Sequence, residues 1–232
     1  MDNLLLAKLP VAELQELRPQ LREVSLSHGQ PIIAPDEPIT YIYFPISALL
    51  SLVTILEDGS AMESGTIGRE GMSGVPVLLN AEQTTMETLT QIAGRAYRIK
   101  AMRLKEIYNR GGTLHDLLNR YMHTLIVLAC QSAACNARHT LDQRLCRWLL
   151  MSSDGVGSDE LGLTQEYLAV MLGVRRSGVS EAAIKLQEAG LIRYRRGSIK
   201  ILKRTALEKS ACECYGRTKT EYDRLFGPGS PY

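Results

Sequence analysis

Nine cations gather between positions 175 and 204: Arg175, Arg176, Lys185, Arg193, Arg195, Arg196, Lys200, Lys203 and Arg204. From Arg193 to Arg204 no acidic residue interrupts them. Guanidinium and ammonium groups at this density can clasp phosphates, and an arginine can also grip a guanine edge with two parallel hydrogen bonds. That chemistry is recognition rather than bond making. A solvated basic face is the alternative for any charge run. The rest of the chain is poor in groups that could catalyse. It has no His-x-His pair, no nucleophile motif and no Walker-type loop. GREGMSG is glycine-rich, but it lies in a β region with no Lys-Ser/Thr after it, so a phosphate cradle is not indicated. An enzyme is not expected.

The elements that must hold these cations can be read from the stretch LTQEYLAVMLGVRRSGVSEAAIKLQEAGLIRYRRG. Thr164 is a plausible N-cap, with Gln165 next and Glu166 in the first turn, where a carboxylate favours the helix dipole. Leu168, Met171 and Leu172 form an apolar stripe, and Gly173 stands where a helix end needs positive φ. A second helix, Arg175–Glu188, buries Val179, Ala182, Ala183 and Leu186. Arg175, Arg176, Ser177, Ser180, Glu181, Ile184 and Lys185 therefore turn outward. Two short helices around a glycine turn predict a helix-turn-helix, whose second helix enters the major groove by its N-terminal half. Leu191–Tyr194 and Ile199–Leu202 flank Arg195-Arg196-Gly197-Ser198 and read as a hairpin wing. The expected DNA-contacting set is Thr164, Gln165, Arg175, Arg176, Ser177, Ser180, Glu181, Lys185, Arg195 and Arg196. In a dimer, three or four phosphate contacts per subunit give about 6–8 in all, and affinity falling as roughly the minus fifth to seventh power of salt.

The remaining chain is ordinary in composition: 45% hydrophobic, 22% charged, net charge +2. No whole-molecule field argues for nucleic acid, so the case rests on where the charges sit. No apolar run approaches the ~20 residues of a membrane span. The N-terminal MDNLLLAKLPVAELQELRPQL makes a poor signal peptide and a good amphipathic helix, expected over Asp2–Arg22 with breaks at Pro10 and Pro19. Five cysteines without framework spacing suit a reducing cytoplasm. Short β-rich runs follow (Pro31–Ile33, Tyr41–Phe44, Ala48–Leu56, Ala61–Thr66, Thr88–Ile92, Ala96–Ile99), as in a small antiparallel barrel or roll. Glu57–Ser60 is the clearest hairpin turn.

A long helix is predicted over Thr113–Met151. Leu114, Leu118, Tyr121, Leu125, Leu128, Ser132 and Cys135 repeat at alternating spacings of four and three. Such a repeat serves a coiled-coil seam or a helix packed on its own domain; the reading taken is a homodimer axis. Near Asp142 the apolar face shifts to Leu145, Trp148 and Leu149. The chain is therefore read as α+β, with residues 1–110 a β-roll sensor domain behind an N-terminal helix, 111–141 a dimerisation helix, 142–215 a winged helix-turn-helix and 216–232 a flexible tail.

With its upstream order of roll and long helix, the opening stretch resembles the Crp/Fnr family of bacterial transcription regulators. The likeness covers nearly the whole chain. It is most specific from Leu163 to Leu202 and looser before Leu104. It implies a cyclic-nucleotide-binding-like jelly roll, a homodimer, double-stranded DNA as partner, and contact with RNA polymerase in activating members. The family's Arg-Glu-x-x-x-Arg recognition set falls on Arg176, Ser177 and Glu181, of which only the first matches. Arg176 is then the candidate for guanine. Glu181 can accept from a cytosine amino group or pair with Lys185, the latter favoured. Gly178 can permit close approach to DNA or pack on the first helix.

The sensor domain departs further from the family. Met72 stands where the ribose-binding Glu belongs, and Gln83-Thr84-Thr85 where the phosphate-clamping Arg-Ser/Thr would fall. The expectation is a subgroup without the usual cyclic-nucleotide site, answering an unidentified small-molecule signal or none. A non-standard nucleotide site and a thiol switch at Cys130 and Cys135 are the alternatives. Iron–sulfur members carry cysteines near the N-terminus, whereas the first here is Cys130. Cys212-x-Cys214 alone lacks four ligands, and His28, His115, His123 and His139 are scattered. Neither metal nor cofactor is expected.

Overall fold

Prolines divide the N-terminal segment as the sequence suggests. In the computed structural model, which describes residues 1–195 and 197–227, Asn3 caps α1 (Leu4–Ala7) and Pro10 precedes α2 (Val11–Leu17). Pro19 lies in a 3-10 turn at Arg18–Gln20. Seven strands follow: β1 (Arg22–Leu26), β2 (Pro31–Ile33), β3 (Tyr41–Pro45), β4 (Leu49–Ile55), β5 (Ala61–Ile67), β6 (Glu87–Ile92) and β7 (Gly94–Lys100), with α3 (Val75–Leu78) before β6. They form two antiparallel sheets, β1-β7-β3 and β2-β6-β4-β5. The turn at Glu57–Ser60 joins β4 to β5, with Gly59 at φ 79° and Asp58 Oδ1 accepting from the Ser60 N–H at 2.9 Å. Of the seven strands, β1 was not expected. Its inward side chains are only Val24 and Leu26, too short an alternation to read as a strand, and of its five residues only Leu26 is buried.

Helices α4 (Ala101–Asn109), α5 (Thr113–Arg138) and α6 (Leu141–Val156) come next. The single helix expected over Thr113–Met151 is thus two. His139 is extended (φ −100°, ψ 149°), and Thr140 starts α6 with a capping box to Gln143. Thr-x-x-Gln satisfies backbone donors at both positions, which makes a new start better than continuation. Beyond it lie β8 (Glu160–Leu161), α7 (Gln165–Leu172), α8 (Arg176–Glu188), β9 (Ile192–Arg195), β10 (Ser198–Ile201), α9 (Arg204–Ser210) and α10 (Glu213–Phe226).

The expected flexible tail needs correction. Residues up to Phe226 continue α10, and Tyr222, Leu225 and Phe226 are buried in the same core as α5 and the roll. Arg120 donates to the carbonyls of Arg224 (2.5 Å) and Leu225 (3.1 Å), closing the helix's C-terminal end. Residues 228–232 lie outside the described residues.

That helix also corrects the expected dimer seam. Leu114, Leu118, Tyr121, Leu128 and Cys135 are buried within the chain itself, and Leu125 and Ser132 are half-buried. The roll and α10 cover the apolar part of this face. Cys135 meets Cys212 and Cys214, and Ser132 accepts from Arg147 at 3.0 Å. A heptad repeat records that a face is buried, not what buries it. The opposite side of α5 is open: Asn119, His123, Ile126, Cys130, Ala133 and Ala137 are exposed at spacings of four and three, with Ile126 at 65%.

Contacts between roll and C-terminal domain fix one on the other. Glu63 of β5 is buried and accepts from Ser51 (2.6 Å), Gln91 (3.1 Å) and the Trp148 indole of α6 (2.8 Å). Burial outweighs these donors and pushes its carboxyl up to about 7. GREGMSG serves packing. A Cβ at Gly68 would lie 2.4 Å from the Gly155 Cα, and one at Gly71 would lie 2.3 Å from the Tyr121 hydroxyl. That hydroxyl accepts from the Met72 N–H (3.0 Å) and donates to the Met72 carbonyl (3.1 Å), and Met72 is fully buried.

Candidate nucleic-acid interface

Thr164 caps α7 by accepting from the Tyr167 N–H at 3.3 Å, and Gly173 ends it at φ 63°. Val179, Ala182, Ala183 and Leu186 of α8 are buried against α6, α7 and the wing, in one apolar core with Leu168, Leu172 and Leu149. This buried stripe fixes the helix's rotation. Arg175, Arg176, Ser177, Glu181, Ile184 and Lys185 consequently face solvent, as the periodicity requires.

The wing is built by the same logic at period two. β9 and β10 pair antiparallel, placing Arg193 opposite Lys200 and Arg195 opposite Ser198. Ile192, Ile199 and Ile201 point inward. Arg193, Arg195, Ser198 and Lys200 line one open groove with Glu160. Arg196 lies outside the described residues.

Several members of the expected set have partners of their own. The Ser180 hydroxyl lies 2.8 Å from Gln165 Oε1 and 3.1 Å from the Arg176 carbonyl, so Gln165 and Ser180 bond across the helix-turn-helix. Thr164 is committed to its cap. Lys185 pairs with Asp142 at 3.0 Å rather than with Glu181, because the start of α6 passes beside α8. Arg176 reaches Glu166 at 3.4 Å, with both side chains well exposed. Such pairs are worth little in water and exchange readily for a phosphate or base. Arg204, counted among the nine cations, is structural: it binds the buried Asp154, Asp159 (3.4 Å), Glu208 (3.2 Å) and the Tyr215 hydroxyl (2.9 Å). Gly178 faces α6, where an added Cβ would meet Leu141 at 3.2 Å, so the packing it permits is against α6 rather than against the first helix of the motif.

Sequence reasoning missed a second cluster. Cys135 and His139, at the end of α5, converge with Cys212 and Cys214, at the start of α10. Cys-x3-His on a helix and Cys-x-Cys at another helix start are both visible in the sequence. Their meeting depends on α10 folding back, which the sequence reading did not foresee.

A two-sheet roll, a long helix and a winged helix-turn-helix with a basic outer face define a Crp/Fnr-type architecture. Residues 143–210 match the Crp-like helix-turn-helix domain, and the chain carries that domain. Solved structures share the fold over most of the chain. FixK2 from Bradyrhizobium japonicum is 17% identical, covering 83% of this chain and 98% of that one, with a TM-score of 0.68. A CRP-family transcriptional regulator from Thermus thermophilus is 18% identical, covering 81% and 96%, with a TM-score of 0.65. The c-di-GMP-responsive global regulator CLP of Xanthomonas campestris is 16% identical, covering 83% and 99%, with a TM-score of 0.62. Among curated proteins, none matches this chain in sequence. No helix of the described residues is long and apolar enough to cross a membrane.

Proposed function

We propose that the chain is a homodimeric transcription regulator that reads a roughly palindromic DNA operator with α8. One observation carries this reading. The solvent-facing row Arg175, Arg176, Ser177, Glu181 and Lys185 is held rigid by a buried stripe and continued by Arg193, Arg195 and Lys200 on the wing. In the major groove Arg176 grips a guanine, Glu181 is free to accept from a cytosine amino group, and the wing cations hold phosphates. Thr164, Gln165 and Ser180 act chiefly by fixing the turn, with phosphate contact secondary.

The dimer forms through the open side of α5, along Asn119, His123, Ile126, Cys130, Ala133 and Ala137. Small residues toward its C-terminal end let two backbones approach. The protein works in the cytoplasm, and its signal enters through the roll. A cyclic nucleotide of the usual kind is not that signal, because Gln83-Thr84-Thr85 stands where the phosphate-clamping Arg-Ser/Thr would fall, and a cyclic phosphate would lack its charge-assisted partner. A different small-molecule effector, and contact with RNA polymerase, complete the reading.

Selection of bound fragments from genomic DNA by the purified chain, with and without cell extract, tests it. The expected result is one enriched inverted repeat with half-sites about one helical turn apart. Enrichment of no common sequence would contradict the reading.

A further inference from the structure

We infer that Cys135, His139, Cys212 and Cys214 form a closed Cys3His site for a tetrahedral zinc ion, pinning α10 to the end of α5. The four ligand atoms all lie within 4.8 Å of one another, and the three cysteines are buried. Cys135 and His139 are one helical turn apart and so share a face of α5. Cys212 stands at the N-cap position of α10 and Cys214 lies in its first turn. The edge Cys135 Sγ–Cys212 Sγ is 3.5 Å, and Cys214 Sγ–His139 Nδ1 is 3.6 Å. Zinc bonds of ~2.3 Å to sulfur and ~2.0–2.1 Å to nitrogen give tetrahedral edges of roughly 3.5–3.8 Å. A multi-iron cluster fits worse, because its cysteines bind different irons and must stand well apart.

The surroundings are those of a metal site. His139 directs Nδ1 at the thiols while Nε2 lies 3.1 Å from a Glu213 carboxylate oxygen. A carboxylate behind a ligating histidine fixes its tautomer and ring plane. Gln131 Nε2 donates to Cys214 Sγ at 2.9 Å, a bond suited to a thiolate. Three thiolates, a neutral imidazole and a dication sum to one negative charge. Arg144 and Arg147 of α6 lie within electrostatic reach of Cys135 and balance it. Four protein ligands leave no open position, so the ion is structural rather than catalytic. It sits where the chain turns at His139–Thr140 from the long helix into the C-terminal domain.

Metal analysis of the full chain, purified in reducing buffer without chelator, tests the site. One zinc per chain is expected. Stripped protein refilled with cobalt(II) should give the intense visible bands of tetrahedral thiolate coordination. Cys214→Ser and His139→Ala should bind less than a tenth as much zinc, while Cys130→Ser and Cys146→Ser keep it. Should the first two misfold, the cobalt spectrum of the unaltered chain decides alone. Weak octahedral cobalt bands, no metal in either experiment, or a Cys135–Cys212 disulfide in place of metal would overturn the inference.

Discussion

Helices α8 and α5 are both held by a buried stripe, yet the faces they leave open differ in kind. On α8 the open face is cationic and polar, and its apolar exception, Ile184, stands alone. On α5 the open face carries Ile126 with Cys130 and three small residues, Ala133, Ala134 and Ala137, and its charges lie toward the ends. A charged face is matched by a polyanion, at strength set by salt; a narrow apolar face is matched by another helix, at strength set by contact area. In the proposed reading one chain thus presents two interfaces that different solution variables control.

The largest effect should come from placing a charge on the apolar face. Ile126→Glu should convert the dimer to monomer by sedimentation and weaken operator binding by about 10²–10⁴-fold, because linked half-site binding is lost. An unchanged dimer would show that the subunits meet elsewhere. Leu118→Ala is the counterpart on the covered side. It should lower unfolding free energy by about 2–5 kcal/mol in denaturant titrations and leave the dimer equilibrium intact. Loss of dimer without loss of stability would restore the seam that the heptad spacing suggested.

On α8, Arg176→Ala should cost about 1–3 kcal/mol of discrimination at one base pair, with a smaller loss of binding to unrelated DNA. Equal losses on all sequences would make Arg176 a phosphate contact. A further prediction concerns the contacts that fix the roll on α6. Glu63 and Glu70 are buried, and burial pushes both carboxyls up to about 7 from 4.5. The folded state therefore holds protons that the unfolded state has released. Stability should fall as pH rises from about 4.5 to about 7 and level off above, by at most about 1.4 kcal/mol per pH unit for each group. Urea unfolding of Glu63→Gln should show a shallower fall over that window. An unchanged slope would mean that Glu63 is ionised in the fold.

How far the sequence was legible follows from how local each determinant is. The helix-turn-helix could be read because Thr164, Gly173 and the Val179–Leu186 stripe act within a few residues of themselves. Strand positions and the Glu57–Ser60 turn were legible for the same reason. By contrast, α10 hides its apolar face, Tyr215, Tyr222, Leu225 and Phe226, among charged and polar residues. Without α10 the buried side of α5 looked open to a second copy. The Cys135–Cys214 cluster was illegible too, since its halves lie 77 and 75 positions apart along the chain. The break at Thr140 was legible as a Thr-x-x-Gln capping box, and it coincides with the shift of the apolar face near Asp142.

The salt dependence of binding to a selected operator tests the central claim most directly. Dimeric α8 and wing contacts predict affinity falling as roughly the minus fifth to seventh power of salt, for a protected site with two-fold symmetry. Affinity nearly independent of salt, or protection of one half-site only, would contradict it.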